Sequence, residues 1–446
     1  MNYPRVILAA TASGSGKTTI TCGLLGALKE KGRVPCSFKC GPDYIDPMFH
    51  RNVLGVPAGN LDTFFTDDET TVKLFTEGFS GDVAVIEGVM GLYDGIGGTG
   101  LTGSTYDLAR ALKAPIILVI NGRGMGRSIL AQIKGFLDYD TENLIKGVIL
   151  NKVSKSFGQT LKELIEKELS IKVVGIVENR GDITIESRHL GLLMPEEISD
   201  IKLKLEIFKD MALEGIDIET LINIAGTADD LFNTRSAATP AGRDKLRLAV
   251  ARDEAFCFYY KENLKLLEES GVELVEFSPI HDQALPENIN GLLLGGGYPE
   301  NYLEKLATNS SMKLSIKKHF AHGIPTLAEC GGFMYLMDRI VDKNGNEFDM
   351  VGCLNGSATY TGKLVRFGYI TLKDDENLEI KGHEFHYFDT DNNGEDLVAT
   401  KPATAASYSC GYKLGNSYLG FPHLYYPSSP KFVENFVEAM KNYGKH

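Results

Sequence analysis

Val6-Ile7-Leu8-Ala9-Ala10 runs directly into Thr11-Ala12-Ser13-Gly14-Ser15-Gly16-Lys17-Thr18-Thr19. An apolar run of five that ends in glycines and hydroxyl residues, and then resumes as a helical pattern to about Lys31, reads as strand, loop and helix. That is the context in which a Gly/Ser loop cradles phosphates. Backbone N–H groups of Ser13, Gly14, Ser15 and Gly16 would surround an anion, and the helix dipole adds to the attraction. Lys17 would reach the β- and γ-phosphates of ATP. The Thr18 hydroxyl would face Mg²⁺, with Thr19 completing the loop. One departure stands at Thr11, where the first glycine of such loops is expected.

Outward from this loop the same alternation recurs. Val83–Glu87, Pro115–Ile120 and Lys146–Asn151 are continuous apolar runs, as expected for strands of a parallel sheet covered on both faces. Thr105–Lys113 and Gln159–Leu169 supply crossover helices. The pattern predicts an α/β fold whose N-terminal domain, residues 1–225, is a doubly wound, mostly parallel sheet. Residues 226–244 are rich in Ala, Thr, Asp and Gly, contain Pro240, and read as a linker. A second α/β domain, 245–446, begins with the strand Leu246–Ala251. Within it, Leu292-Leu293-Leu294 feeds Gly295-Gly296-Gly297.

The second domain carries its own chemical signal. Pro325-Thr326-Leu327-Ala328-Glu329-Cys330-Gly331-Gly332 drives a short apolar run into one cysteine followed by two glycines. That is the pattern of a strand-to-helix elbow that aims a nucleophile. A helix N-terminus beyond the turn is expected to lower the thiol pKa. Phe421-Pro422-His423 places a histidine in a Pro-flanked loop, a candidate base. Backbone N–H groups near Gly296, Gly297 and Gly331 could form an oxyanion hole, and Glu384 could help shape the pocket.

Composition narrows the function classes. A chain of 446 residues exceeds one core, so two or three domains are expected. Net charge of −13 argues against nucleic acid as the main partner. No apolar run reaches the length of a membrane span, and no signal-peptide core follows Met1. The seven cysteines (22, 36, 40, 257, 330, 353, 410) are scattered without a Cys-x-x-Cys pair. A reducing cytoplasm is therefore expected, and a disulfide framework or zinc site is not.

Acidic partners for a phosphate-bound metal are also visible. Glu87 ends a strand, and carboxylates at strand C-termini open into the ligand crevice of such sheets. In Lys39-Cys40-Gly41-Pro42-Asp43-Tyr44-Ile45-Asp46-Pro47 two prolines stiffen a loop with two carboxylates around an aromatic. Glu87 and Asp43, with Thr18, are expected at Mg²⁺. Asp46, with Tyr44 and Ile45, is expected to position a substrate arm or steady an intermediate. Asp beside Pro is also ordinary turn chemistry, and Asp94 is open between the two readings. His319 and His322 read as surface residues. His383-Glu384-Phe385-His386 has the second histidine one residue early for a zincin motif. Phe256–Tyr260 reads as core.

Taken in order, these motifs resemble the cobyrinic acid a,c-diamide synthase family over nearly the whole chain. The resemblance runs through Ser13–Thr18, Gly41–Pro47, Glu87–Gly95, Ser187-Arg188-His189-Leu190-Gly191-Leu192, Ala251–Tyr260, Leu294–Glu300 and the cysteine elbow. It implies an N-terminal synthetase domain similar to dethiobiotin synthetase and a C-terminal class I glutamine amidotransferase domain. It also implies amidation of the a and c carboxylates of a corrin ring with glutamine, ATP and Mg²⁺. Sister families act on nickel sirohydrochlorin, on the route to coenzyme F430, or on hydrogenobyrinic acid, and these motifs do not separate the three. Two positions depart from relatives. Tyr425 stands where class I amidotransferases often carry a glutamate two residues after the histidine, so Cys330 and His423 would act without that third member. Asn121 ends a strand where many relatives carry an acid.

The chemistry is coherent. A carboxylate does not react with ammonia because its leaving group is poor, and phosphorylation by ATP supplies a good one. Cys330 would attack glutamine to give a thioester, with His423 as base and then acid. Ammonia would then pass between the domains. The expected partners are small molecules, with a homodimer left open. The rival reading is a P-loop partitioning ATPase. Such proteins commonly carry an extra lysine near the start of the loop, and none occurs between Met1 and Lys17.

Overall fold

The computed structural model describes residues 2–178, 201–232 and 246–443. The motif Ser187–Leu192 and most of the predicted linker lie outside the described residues. The chain divides into two compact units between Arg235 and Ser236. Among the described residues no helix is long and apolar enough to cross a membrane.

The first unit is built on β1 (Arg5–Ala10), β2 (Pro35–Cys40), β3 (Ala58–Leu61), β4 (Val83–Glu87), β5 (Ile116–Asn121), β6 (Ile145–Asn151) and β7 (Lys172–Val177). They form one sheet in the order β3-β2-β4-β1-β5-β6-β7, and every pairing is parallel. Successive side chains of a strand point to opposite faces, and both faces here are covered. Ile7 and Ala9 join one apolar cluster with Ile86, Leu118 and Leu150. Val6, Leu8 and Ala10 join another with Val85, Val119 and Ile149. This is why the strands read as unbroken apolar runs rather than alternating ones. The helix Lys155–Leu169 buries Gly158, Leu161 and Ile165 on a single stripe, the spacing an amphipathic crossover needs.

The second unit centres on a six-stranded sheet. Its order is Val272–Phe277, Leu246–Ala251, Gly291–Leu294, Thr326–Glu329, Ser417–Gly420 and Tyr412–Leu414. The first five run parallel, and the last is antiparallel. A separate five-stranded antiparallel sheet includes Arg366–Lys373, Glu379–His386 and His423–Leu424. The sequence reading did not anticipate this sheet. Its practical consequence is that His423 lies in a strand, paired with His383, and not in a loop.

Candidate functional sites

In the first unit the Gly/Ser loop joins β1 to the helix Lys17–Glu30. Gly16 caps that helix with φ +95°, a conformation that favours glycine. A Cβ on Gly16 would also fall 2.3 Å from Asn151 Nδ2. Asn151 closes the loop from the end of β6, donating from Nδ2 to the Ser15 carbonyl at 2.8 Å. Inside the loop the Ser15 hydroxyl donates to the Ala12 carbonyl at 2.9 Å. Lys17 is buried and donates to the Met90 carbonyl at 2.5 Å. Burial first, then repulsion from Lys39, lowers its pKa to about 8. A phosphate arriving there would restore the ammonium.

The expected acidic residues do converge, around a lysine that sequence reasoning left without a role. Lys39 Nζ lies 2.5 Å from Asp46 Oδ2, 2.8 Å from Glu87 Oε1 and 3.9 Å from Asp43 Oδ2. Its side chain is 8% exposed. Burial opposes the charge, but Asp46, Glu87 and Asp43 outweigh it and raise the Lys39 pKa. In return Lys39 holds Asp46 below the usual carboxylate range against burial. Asp43 moves the other way, pushed up to about 7 by burial and then by the charge of Asp46. Its Oδ1 accepts from the backbone N–H of Ile45 and Asp46, turning the chain into the helix Ile45–Asn52. Tyr44 is buried immediately before that helix. Asp94 accepts from the Gly91 N–H at 3.0 Å, which is turn chemistry.

The Thr18 hydroxyl donates to Glu87 Oε1 at 2.6 Å. The second oxygen of Glu87, Oε2, is buried with no hydrogen-bond partner. An orphaned carboxylate oxygen beside a threonine hydroxyl fits Mg²⁺, which needs only one or two protein carboxylates with phosphate oxygens. Asp43 fits less well, since Oδ1 is occupied by backbone. Among the described residues no group of three or more His, Cys, Asp or Glu is arranged for a metal, and the sequence motif His383–His386 lies on a strand, not a helix.

In the second unit the elbow forms as expected. Thr326–Glu329 is a buried strand, Cys330 has φ +47°, and the helix Gly331–Leu336 follows. A non-glycine residue at positive φ is strained, and such strain is typical of nucleophile turns. The glycine loop packs directly on it. Gly332 N–H donates to the Gly295 carbonyl at 3.0 Å, and a Cβ on Gly331 would sit 3.4 Å from the Gly297 nitrogen. The His423 ring lies against Gly296, where a Cβ would fall 2.3 Å from Cε1. Cys330 N–H donates to the Gly420 carbonyl at 2.9 Å, three residues before His423. Elbow, glycine loop and histidine strand thus meet at one place.

The thiol does not behave as expected. Burial, then the nearby Glu300 charge, pushes the Cys330 pKa well up, and the Gly331 N–H offsets only part of this. The six-residue helix is outweighed by desolvation. His423 is 3% exposed, and burial, followed by His386, takes its pKa down to about 3. Thiol and imidazole therefore rest neutral. Its strand is held by Asn263, which donates from Nδ2 to the Leu424 carbonyl and accepts at Oδ1 from Tyr426 N–H, both at 2.8 Å. The His383 ring stacks on His423 at 5.0 Å. Glu384 is fully buried, bonded by the Tyr408 hydroxyl, with Lys401 at 3.5 Å. His386, then the Tyr408 hydroxyl and the Arg366 charge, hold its carboxylate ionised against burial. Glu384 bears on Cys330 and His423 through its charge.

Phosphate loop on one unit and cysteine elbow on the other define an ATP-dependent ligase that draws its nitrogen from glutamine. The family comparisons agree on both halves. The CobQ/CobB/MinD/ParA nucleotide binding domain matches residues 6–192, and the CobB/CobQ-like glutamine amidotransferase domain matches 247–415. A cobyrinate a,c-diamide synthase from Caldanaerobacter subterraneus subsp. tengcongensis is 39% identical over 98% of this chain and 99% of its own length. One from Listeria innocua is 36% identical over 98% and 99%. One from Picrophilus torridus is 37% identical over 99% and 100%. The chain belongs to the cobyrinate a,c-diamide synthase family.

Proposed function

We propose that this protein amidates the a and c side-chain carboxylates of cobyrinic acid, using glutamine and ATP, in cobalamin biosynthesis. The observation that carries the reading is the full-length similarity to relatives that bear that name. Residues 1–225 act as the synthetase, 226–244 as the link and 245–446 as the amidotransferase. Ser13 to Thr19 bind ATP. A substrate carboxylate oxygen attacks the γ-phosphorus, ADP leaves, and an acyl phosphate forms. Ammonia then attacks the acyl carbon and expels phosphate. Lys17 and Lys39 offset the negative charge that gathers during transfer. Thr18 and Glu87, with Asp43 alongside, would hold Mg²⁺, which supplies further neutralisation of the phosphates when bound. Asp46 fixes Lys39, and Tyr44 and Ile45 shape the loop toward the substrate.

Ammonia comes from the other unit. His423 takes the Cys330 proton as sulfur attacks the glutamine amide carbon, then returns it to the departing nitrogen. Water hydrolyses the thioester to glutamate. The N–H groups of Gly296, Gly297 and Gly331 steady the oxyanion, and Glu384 lines the glutamine pocket. The setting is cytoplasmic, the net charge favours no nucleic-acid partner, and light scattering would test a homodimer.

The test is turnover of purified protein with Mg²⁺, ATP and glutamine on three macrocycles: cobyrinic acid, nickel sirohydrochlorin and hydrogenobyrinic acid. The expected result is the diamide of cobyrinic acid, with one ADP and one glutamate per amide. Preference for either of the other rings would reassign the substrate. Trapping the intermediate with hydroxylamine as a hydroxamate tests the acyl phosphate.

A further inference from the structure

Tyr425 occupies the position from which class I amidotransferases often present a carboxylate to the catalytic histidine. A carboxylate nevertheless reaches that histidine from another strand. Glu329, the residue immediately before Cys330, places Oε2 3.9 Å from His423 Nδ1. Its strand pairs in parallel with Ser417–Gly420, Glu329 opposite Gly420, three residues before His423. The other oxygen, Oε1, accepts a hydrogen bond from the Tyr426 hydroxyl at 3.2 Å. Glu329 is 6% exposed. Tyr425 meanwhile is buried edge-on against Tyr260, 5.1 Å between ring centres.

We infer that Glu329 is the positioning carboxylate of the glutaminase site, supplied by the nucleophile's own strand in place of the residue two after the histidine. The inference rests on the glutaminase role proposed for Cys330 and His423. An ionised Glu329 accepts from Nδ1–H, which fixes the tautomer with the Nε2 lone pair free for the thiol proton. It then stabilises the imidazolium formed when that proton transfers. A gap of 3.9 Å is long for a hydrogen bond, and catalytic contacts of this kind commonly tighten when substrate binds.

Glu329 also gives the proposal a pH signature. Burial pushes its pKa up to about 8, moderated by the Tyr426 hydroxyl and the Leu424 N–H. Glutamine hydrolysis should therefore rise with pH through that value as the carboxylate ionises. Other titratable groups face this spot. His423 titrates far lower, while Cys330, Tyr259 and Tyr426 titrate higher. Glu300, raised to about 7, bears on Cys330 and needs its own control.

The experiment measures steady-state glutamine hydrolysis from pH 6 to 9 for wild type, Glu329→Gln, Glu329→Asp and Glu300→Gln. Glu329→Gln should lower kcat about 10- to 1000-fold with KM for glutamine within about twofold, and should abolish the limb near pH 8. Glu329→Asp should keep a limb and an intermediate rate. Ammonia-supported amidation should persist in all of them, which reports a folded enzyme. The inference is overturned by a wild-type rate and profile in Glu329→Gln, by a limb lost only in Glu300→Gln, or by Glu329→Asp performing no better than the glutamine variant. Failure of the underlying reading would look different: glutamine hydrolysis surviving Cys330→Ser.

Discussion

The two units hold the central groups of their sites in opposite states. In the synthetase unit Lys39 and Asp46 are already charged and paired. Lys39 sits among Asp43, Asp46 and Glu87, and the dominant contacts hold Lys39 and Asp46 ionised despite burial. Around the nucleophile of the glutaminase unit burial wins, although Glu384 nearby stays ionised. Cys330, His423 and Glu329 are all shifted toward their neutral forms. The substrates explain the contrast. ATP and a carboxylate bring negative charge into the first site, so cations must be in place beforehand, and the acids keep them there. Glutamine presents a neutral amide, and charge appears only as the thioester forms. A site that rests neutral avoids the large cost of isolated buried ions.

The largest effect should come from separating the units chemically. Cys330→Ser should cut glutamine hydrolysis about 10⁴- to 10⁶-fold, as loss of a nucleophile does. Amidation supported by added ammonia should stay within about threefold of wild type, since the two sites are built on separate units with no shared residue. Parallel assays with the two nitrogen sources check this, and loss of both activities would break the division. Lys17→Ala is the converse. Product should fall about 10³-fold with either nitrogen source, the scale of one charge stabiliser in phosphoryl transfer, while glutamine hydrolysis continues.

A third, smaller effect probes the paired charges. Lys39→Met leaves Asp46 and Glu87 buried beside one another without their cation. Breaking a buried pair from one side costs about 3–5 kcal/mol, read as a lower unfolding temperature. Adding Asp46→Asn to that variant should recover part of the loss, because residues in one network are not additive. A Lys39→Met protein that melts like wild type would show that the cluster is not paired at rest.

How much of this was legible in the sequence follows from the same contrast. β1, β4, β5 and β6 were readable to within a residue because both faces are covered by apolar residues. β2, Pro35-Cys36-Ser37-Phe38-Lys39-Cys40, was not, although every residue in it is buried. Its lysine and serine break the apolar run, and the acids that make Lys39 tolerable come from elsewhere in the chain. The loop around Asp43 and Asp46 was found, but spacing alone cannot show three carboxylates meeting one ammonium. In the second unit Cys330 and His423 were legible from their local motifs. Glu329 was overlooked beside them, since a single acid at the end of an apolar strand declares nothing until the pleat and the neighbouring strand place it near His423. The lowered thiol pKa was expected from the helix that follows, and full burial of a six-residue helix start overrode it. The antiparallel sheet escaped because its longer strand Arg366–Lys373 is largely half-exposed and three of its five strands span four residues or fewer.

The smallest effect is a difference in how His423 and Asp46 respond to acid. His423 has its pKa lowered by burial from 6.5 to about 3. Between those values the unfolded chain binds more protons than the fold, so stability falls as pH drops from 6.5 toward 3. Asp46 is also lowered, from 3.8, by Lys39 against burial. Its contribution is present above pH 3.8 and is lost only below that value. Acidification from neutrality should therefore reach the His423 contribution before that of Asp46, and the buried His50 of the synthetase unit, also lowered from 6.5 by burial, adds to the same fall. The measurement is the unfolding temperature from pH 7.5 to 4.5 for wild type, His423→Asn and Asp46→Asn. The curve of His423→Asn should run flatter than wild type across this range, with each kcal/mol appearing as about 2–4 °C. The Asp46→Asn curve should be offset downward and keep the fall that His423 causes, somewhat steepened because Asp43 loses the like charge that helps raise its pKa to about 7. A His423→Asn curve parallel to wild type would show that His423 is not held neutral by its surroundings, and the contrast between the two units would then fail on the glutaminase side.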